Sequence, residues 1–194
     1  MSTSTTLRRV AAPLAVLVVA LTALTATPAQ AVSDLFTEKT ASAFWSVPHE
    51  CADGSIVLGT LLVQSTEDYT APDTVDTDPT TRVQFLAVCP DGTSFSWGGF
   101  LPAEITSAAN LKSVHTVGSG TVRDNVGGSH TVSFDVTYTA VGPLRTEVNG
   151  PGSKRMEREA TATGQVTFDG ILIVNGANNH PTRPAPFIRV DTEK

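Results

Sequence analysis

The segment Thr131–Thr139 reads TVSFDVTYT, so Val132, Phe134, Val136 and Tyr138 alternate with serine, aspartate and threonine. An apolar period of two marks an antiparallel strand with one face on a core and the other in water. Strand patterns also run at Ala43–Val47, Val83–Val88, Thr93–Phe100, Leu111–Val117, Ser119–Arg123, Arg155–Phe168, Ile171–Val174 and Phe187–Val190. Ile56–Val63 is apolar on both faces, which predicts a strand in the middle of a sheet and covered on both sides. Pro90-Asp91-Gly92 predicts a hairpin turn, and Asp169-Gly170 a two-residue one. Arg155, Glu157 and Glu159 share a face and Arg158 interrupts the other, a charge load that suits an edge strand. Only Leu101–Asn110 has room for one or two helical turns, and no stretch keeps helical periodicity over a dozen residues. The expectation is an all-β chain: an antiparallel β-sandwich of about 8–10 strands, immunoglobulin-like in architecture. Trp45 and Trp97 both lie outside the interval between Cys51 and Cys89, so the true immunoglobulin Cys…Trp…Cys pattern is absent. No internal repeat and no interdomain linker is read.

The N-terminus is of another kind. Arg8 and Arg9 precede an apolar run from Val10 to about Leu24, followed by Ala29-Gln30-Ala31. That order predicts a signal peptide over residues 1–31 and a single domain over 32–194, secreted to the extracellular space. Losing the two arginines takes the formal net charge from −6 to −8. An acidic domain is a poor partner for nucleic acid, whose phosphates call for a basic face. No later apolar run approaches the roughly 20 residues of a membrane span. Cys51 and Cys89 are the only cysteines, and in an oxidising compartment they are expected to form a disulfide.

Chemistry-bearing motifs are scarce. Nucleophile-elbow, phosphate-loop, zinc-protease and EF-hand patterns do not occur. His49, His115, His130 and His180 read as structural, and no catalytic residue, metal ligand or cofactor is assigned. The segment Thr66–Thr81 is acidic and rich in threonine; Asp73, Asp76 and Asp78 could chelate calcium, but a solvated loop is the expected reading. Trp97 is followed by Gly98-Gly99, which leaves its ring uncrowded; it is the candidate ligand contact, against a core role shared with Phe95.

The stretches Thr131–Leu144 (TVSFDVTYTAVGPL) and Arg158–Val166 (REATATGQV), behind a signal peptide and a cysteine-bearing N-terminal half, resemble a group of small secreted proteins of unknown function. Those proteins occur in high-GC Gram-positive bacteria. The resemblance implies export and an all-β fold and brings no activity with it. The functional expectation is a non-enzymatic binding or interaction module, for envelope polysaccharide or another protein. A hydrolase with a site assembled across strands, or a calcium-dependent surface module, is the alternative.

Overall fold

The structure is a computed structural model and describes residues 36–70, 74–75, 79–181 and 185–193. The signal segment and Asp73, Asp76 and Asp78 of the acidic loop lie outside the described residues. Every described residue belongs to one compact unit, Ser33–Lys194.

Strands β1 (Phe36–Glu50) and β2 (Ile56–Thr70) form a long hairpin, followed by the two-residue β3 (Thr74–Val75). Next come a second hairpin, β4 (Thr80–Val88) and β5 (Ser94–Ser107), and a single 3-10 turn, Ala109–Leu111. Then follow β6 (Ser113–Asp124), β7 (Ser129–Ala140) and β8 (Arg145–Gly150). The 16-residue β9 (Ser153–Phe168), β10 (Ile171–Ala177) and β11 (Phe187–Glu193) complete the described elements.

Each of β1, β2, β4, β5, β6, β7, β9 and β11 pairs antiparallel with the next, and β11 returns to β1. The result is a closed, eight-stranded up-and-down barrel, not the expected sandwich. Alternation assigns faces and says nothing about edges, so a sandwich strand and a barrel strand share one pattern. Closure is decided by β1, which pairs with β2 along its whole length and with β11 over Phe36–Ser42. Strands β8 and β10 pair only with β9 and lie outside the ring, and β3 pairs with the end of β2.

Four local expectations change with it. Strand β9 is no edge: β7 and β8 line one side of it, and β10 and β11 the other. Its charges are met across the neighbouring strands, with Arg155 Nε 2.7 Å from Asp191 and Arg145 2.8 Å from Glu159. Arg158 donates to the carbonyls of Asn110 and Gly142. Ile56 and Leu58 face outward and are 73% and 71% exposed, because a barrel wall has only one covered face. Leu101–Ser107 is strand rather than helix, and β6 runs unbroken through Gly118.

An eight-stranded barrel is just wide enough for side chains to fill it. Here Trp45, Leu61, Val63, Val136, Tyr138 and Ile188 are fully buried in that interior. Burying each side chain of this size contributes about 1.5–3 kcal/mol. Three hydroxyls inside are linked in a chain, Ser65 Oγ lying 3.0 Å from Thr81 Oγ1 and that atom 3.2 Å from Thr116 Oγ1, whereas the Trp45 indole N–H has no hydrogen-bond partner among the described residues. The Tyr138 hydroxyl donates to the Val63 carbonyl at 3.0 Å. Where β7 crosses β9 the wall is tight, since a Cβ on Gly164 would stand 2.5 Å from the Asp135 carbonyl oxygen.

Candidate functional site

The two long hairpins turn at the same end of the barrel with the same chemistry. Residues 51–55 read Cys-Ala-Asp-Gly-Ser and 89–93 Cys-Pro-Asp-Gly-Thr. In each, the cysteine N–H donates to the carbonyl four residues on, at 2.8 and 2.9 Å, and the glycine N–H donates to the cysteine carbonyl. Asp53 and Asp91 each accept from the backbone N–H and the hydroxyl two residues later. Those bonds hold both carboxyls below the usual range, the hydroxyl contribution being the larger. Gly54 and Gly92 supply the left-handed backbone, at φ +80° and +85°. A disulfide between Cys51 and Cys89 joins the turns, with Cα atoms 6.0 Å apart. The expected bridge is therefore present, and the repeated turn motif was legible in the sequence but not read there.

Behind the turns lies a run of stacked rings. His49 lies flat on Phe95 at 5.0 Å, Phe85 stacks on Trp97 at 5.6 Å, and Trp97 on Phe168 at 4.8 Å. Phe168 in turn lies 4.5 Å from the ring of His130. Trp97 is only 4% exposed, so its ring is a core plug first. These rings, with Val47, Pro48 and Ile173, bound a cavity of about 120 Å³. It sits where the Ala43–Glu50 half of β1 faces β10 without a ladder, bridged instead by Ser46 N–H donating to Asn179 Oδ1. A dry cavity of about 150 Å³ holds benzene, so this one is too small for a sugar ring.

Two larger hollows are on the outer wall, and another of about 320 Å³ lies by the 3-10 turn, between Lys39, Leu111, Met156 and Val190. One, of about 350 Å³, lies over β4, β5 and the end of β6. Its floor is Gly98-Gly99, and Trp97 backs it from inside the barrel. Gly98 pairs with Gln84 on one side and Arg123 on the other, and Arg82 pairs with Phe100. Outward-facing Arg82, Gln84 and Arg123 thus rise around a glycine that has no side chain to fill the space. Phe100 is 73% exposed at its margin. The β5–β6 pairing lapses between Gly98–Arg123 and Ala103–Gly118, which leaves peptide groups of the wall outside the ladder. A second hollow of about 470 Å³ lies further along, lined by Glu104, Gly118, Ser119, Ser133 and Gln165 among others. From Arg123 to Gly118 is about 17 Å at roughly 3.4 Å per residue.

The four histidines are dispersed. His115 lies 2.8 Å from Asp135 on the outer wall, and Thr60 Oγ1 2.9 Å from His180 Nε2. His49 is in the ring stack. His130 is bracketed: Nε2 lies 3.0 Å from Asp124 Oδ2 and Nδ1 2.7 Å from Asp169 Oδ2. With an acceptor at each nitrogen the ring holds its proton, and its pKa is raised first by Asp124 and then by Asp169. Both carboxyls are held low, with the bond to His130 the leading cause. Neither ring nitrogen is left to activate a hydroxyl. Among the described residues no group of three or more His, Cys, Asp or Glu is placed to hold a metal ion, and no helix is long and apolar enough to cross a membrane. Comparison with protein-family models, with curated proteins and with solved structures returns no match.

Proposed function

We propose that this chain is a secreted, non-enzymatic binding protein that holds an extended envelope polysaccharide against the outer wall of β4 to β7. One observation carries the reading: the barrel interior is filled by side chains, while two hollows lie along one flank. A small-molecule carrier needs an internal cavity of several hundred Å³. The 120 Å³ cavity at the β1–β10 gap falls short of that. A flank about 17 Å long, floored by glycine and walled by amide, hydroxyl and guanidinium groups with the carboxylates of Glu104 and Asp135 at its far hollow, suits a polymer of hydroxylated rings. Phe100 offers the one large exposed ring at the first hollow, and a planar apolar face packs against the C–H face of a sugar. The disulfide and the signal-like N-terminus support an extracellular setting.

Calorimetric titration with soluble hexasaccharides tests the proposal. Phe100→Ala, at an exposed position, removes one stacking contact and weakens binding about 2- to 10-fold with the fold intact. Undiminished affinity in that variant would place the polysaccharide elsewhere.

A further inference from the structure

Charge sets the hollow over Gly98 apart from the rest of the molecule. The chain carries a formal net charge of −6, yet two of its arginines flank this one hollow. Arg145, Arg155 and Arg189 each have a carboxylate within 2.8 Å. Neither Arg82 nor Arg123 has an ion-pair partner among the described residues; Arg82 donates to the neutral amide of Gln84 at 2.6 Å, and that bond fixes its head over the wall. Among the described residues the only carboxylate lining the hollow is Asp124, which is 6% exposed and turned inward to His130. Its charge is met there and does not neutralise the arginines.

The spacing suits a shared ligand. Gly98 stands between Gln84 and Arg123 in the pairing of three adjacent strands, and neighbouring strands are about 4.8 Å apart. Arg82 sits two residues along β4 from Gln84, so the two arginine backbones are roughly 12 Å apart on a diagonal over the glycine pair, within reach of two guanidinium forks that lean toward each other. A planar fork binds carboxylate or phosphate in a two-point geometry that a neutral hydroxyl cannot return.

We infer that the hollow over Gly98 selects an anionic group, a carboxylate or phosphate carried by the polysaccharide, and holds it between Arg82 and Arg123. This inference rests on the polysaccharide reading and names its chemical class. It is tested on the full secreted chain with a pair of probes that share one backbone: oligogalacturonate, and the same oligomer fully methyl-esterified. The expected result is binding of the acid at least tenfold tighter than the ester, weakening as salt is raised. R82Q and R123Q each lower affinity for the acid about tenfold and affinity for the ester no more than about twofold, with circular dichroism and melting temperature as in the parent. Equal binding of acid and ester, unaffected by R82Q and R123Q, overturns the anion site and leaves the polysaccharide reading standing. If neither oligomer binds, titration with inorganic phosphate, followed at the Gly98 and Arg123 amides, separates the two claims. Shifts that vanish in R123Q keep the anion site and remove the polysaccharide; absent shifts remove both.

Discussion

Cys51 and Cys89 stand 6.0 Å apart at Cα, each the first residue of a turn that bonds itself in the same way. The bridge therefore ties the β1–β2 turn to the β4–β5 turn and leaves the other end of both hairpins to the barrel ladder. It closes a sequence separation of 38, for which the chain-entropy account gives on the order of 4 kcal/mol. Replacing both cysteines by serine lowers the melting temperature by roughly 10 °C in a scanning calorimeter, with the far-ultraviolet dichroism retained. Two free thiols in the denatured, unreduced protein would show that the bridge does not form.

His130 links β7 to the β6–β7 turn through Asp124 and to the β9–β10 turn through Asp169. A raised histidine pKa stabilises the fold fully below the free value near 6.5, and that contribution is lost as pH rises through the folded pKa. The lowered carboxyls act in the opposite sense, contributing above about pH 4 and failing as pH falls through their folded values. The bracket is thus at full strength between about pH 4 and 6.5. His130→Asn reduces the loss of thermal stability that the parent shows between mildly acidic and mildly alkaline buffer. An identical pH slope in parent and variant would rule the bracket out as its source.

Tyr138 is fully buried, and burial pushes its phenol far above the ordinary value. The folded chain keeps the proton while the unfolded chain loses it near pH 10, so stability falls as pH climbs beyond that point. Parent and Tyr138→Phe should give superimposable phenolate absorbance near pH 10 until the parent unfolds. The same variant leaves the Val63 carbonyl without that donor and costs about 1–2 kcal/mol in denaturant unfolding.

Two glycines of the wall should answer differently to alanine. A Cβ at Gly164 meets the Asp135 carbonyl oxygen at 2.5 Å and Val136 Cα at 2.9 Å, both backbone atoms that cannot yield cheaply. Gly164→Ala costs about 1–3 kcal/mol. At Gly99 the nearest atom is Val122 Cγ1 at 3.5 Å, an ordinary contact, so Gly99→Ala stays within about 0.5 kcal/mol of the parent. Equal effects in urea titration would contradict the packing described for β7 and β9.

Much of the wall was legible because alternation reports which side of a strand is dry: Val132, Phe134, Val136 and Tyr138 all point inward as their spacing implies. Asp169-Gly170 also forms the expected tight hairpin, with both residues at positive φ. What alternation cannot report is which strands are neighbours. The pairing of β1 with β11 joins residues about 150 apart in the chain, and nothing local in Phe36–Ser42 announces it. The same blindness hid the hollow over Gly98. Arg82, Gly98 and Arg123 lie on three different strands, and only the β4–β5–β6 register brings them together. Trp97, the one ligand contact suggested by its glycine neighbours, lies under that wall rather than on it. The Asp124–His130–Asp169 bracket likewise depends on two turns meeting, and its residues carry no shared spacing.

A polysaccharide held on the outer wall of the barrel moves the amide resonances of the strands it touches, which reports its position directly. On titration with oligogalacturonate, the largest shifts are predicted at Gly98, Gly99, Phe100, Arg123 and Ser119, along the outer face of β5 and β6. Ile56 and Leu58, equally exposed on the outer face of β2, should stay still. Shifts centred on Ile56 and Leu58, or on the ring-lined cavity at Pro48 and Ile173, would contradict that position.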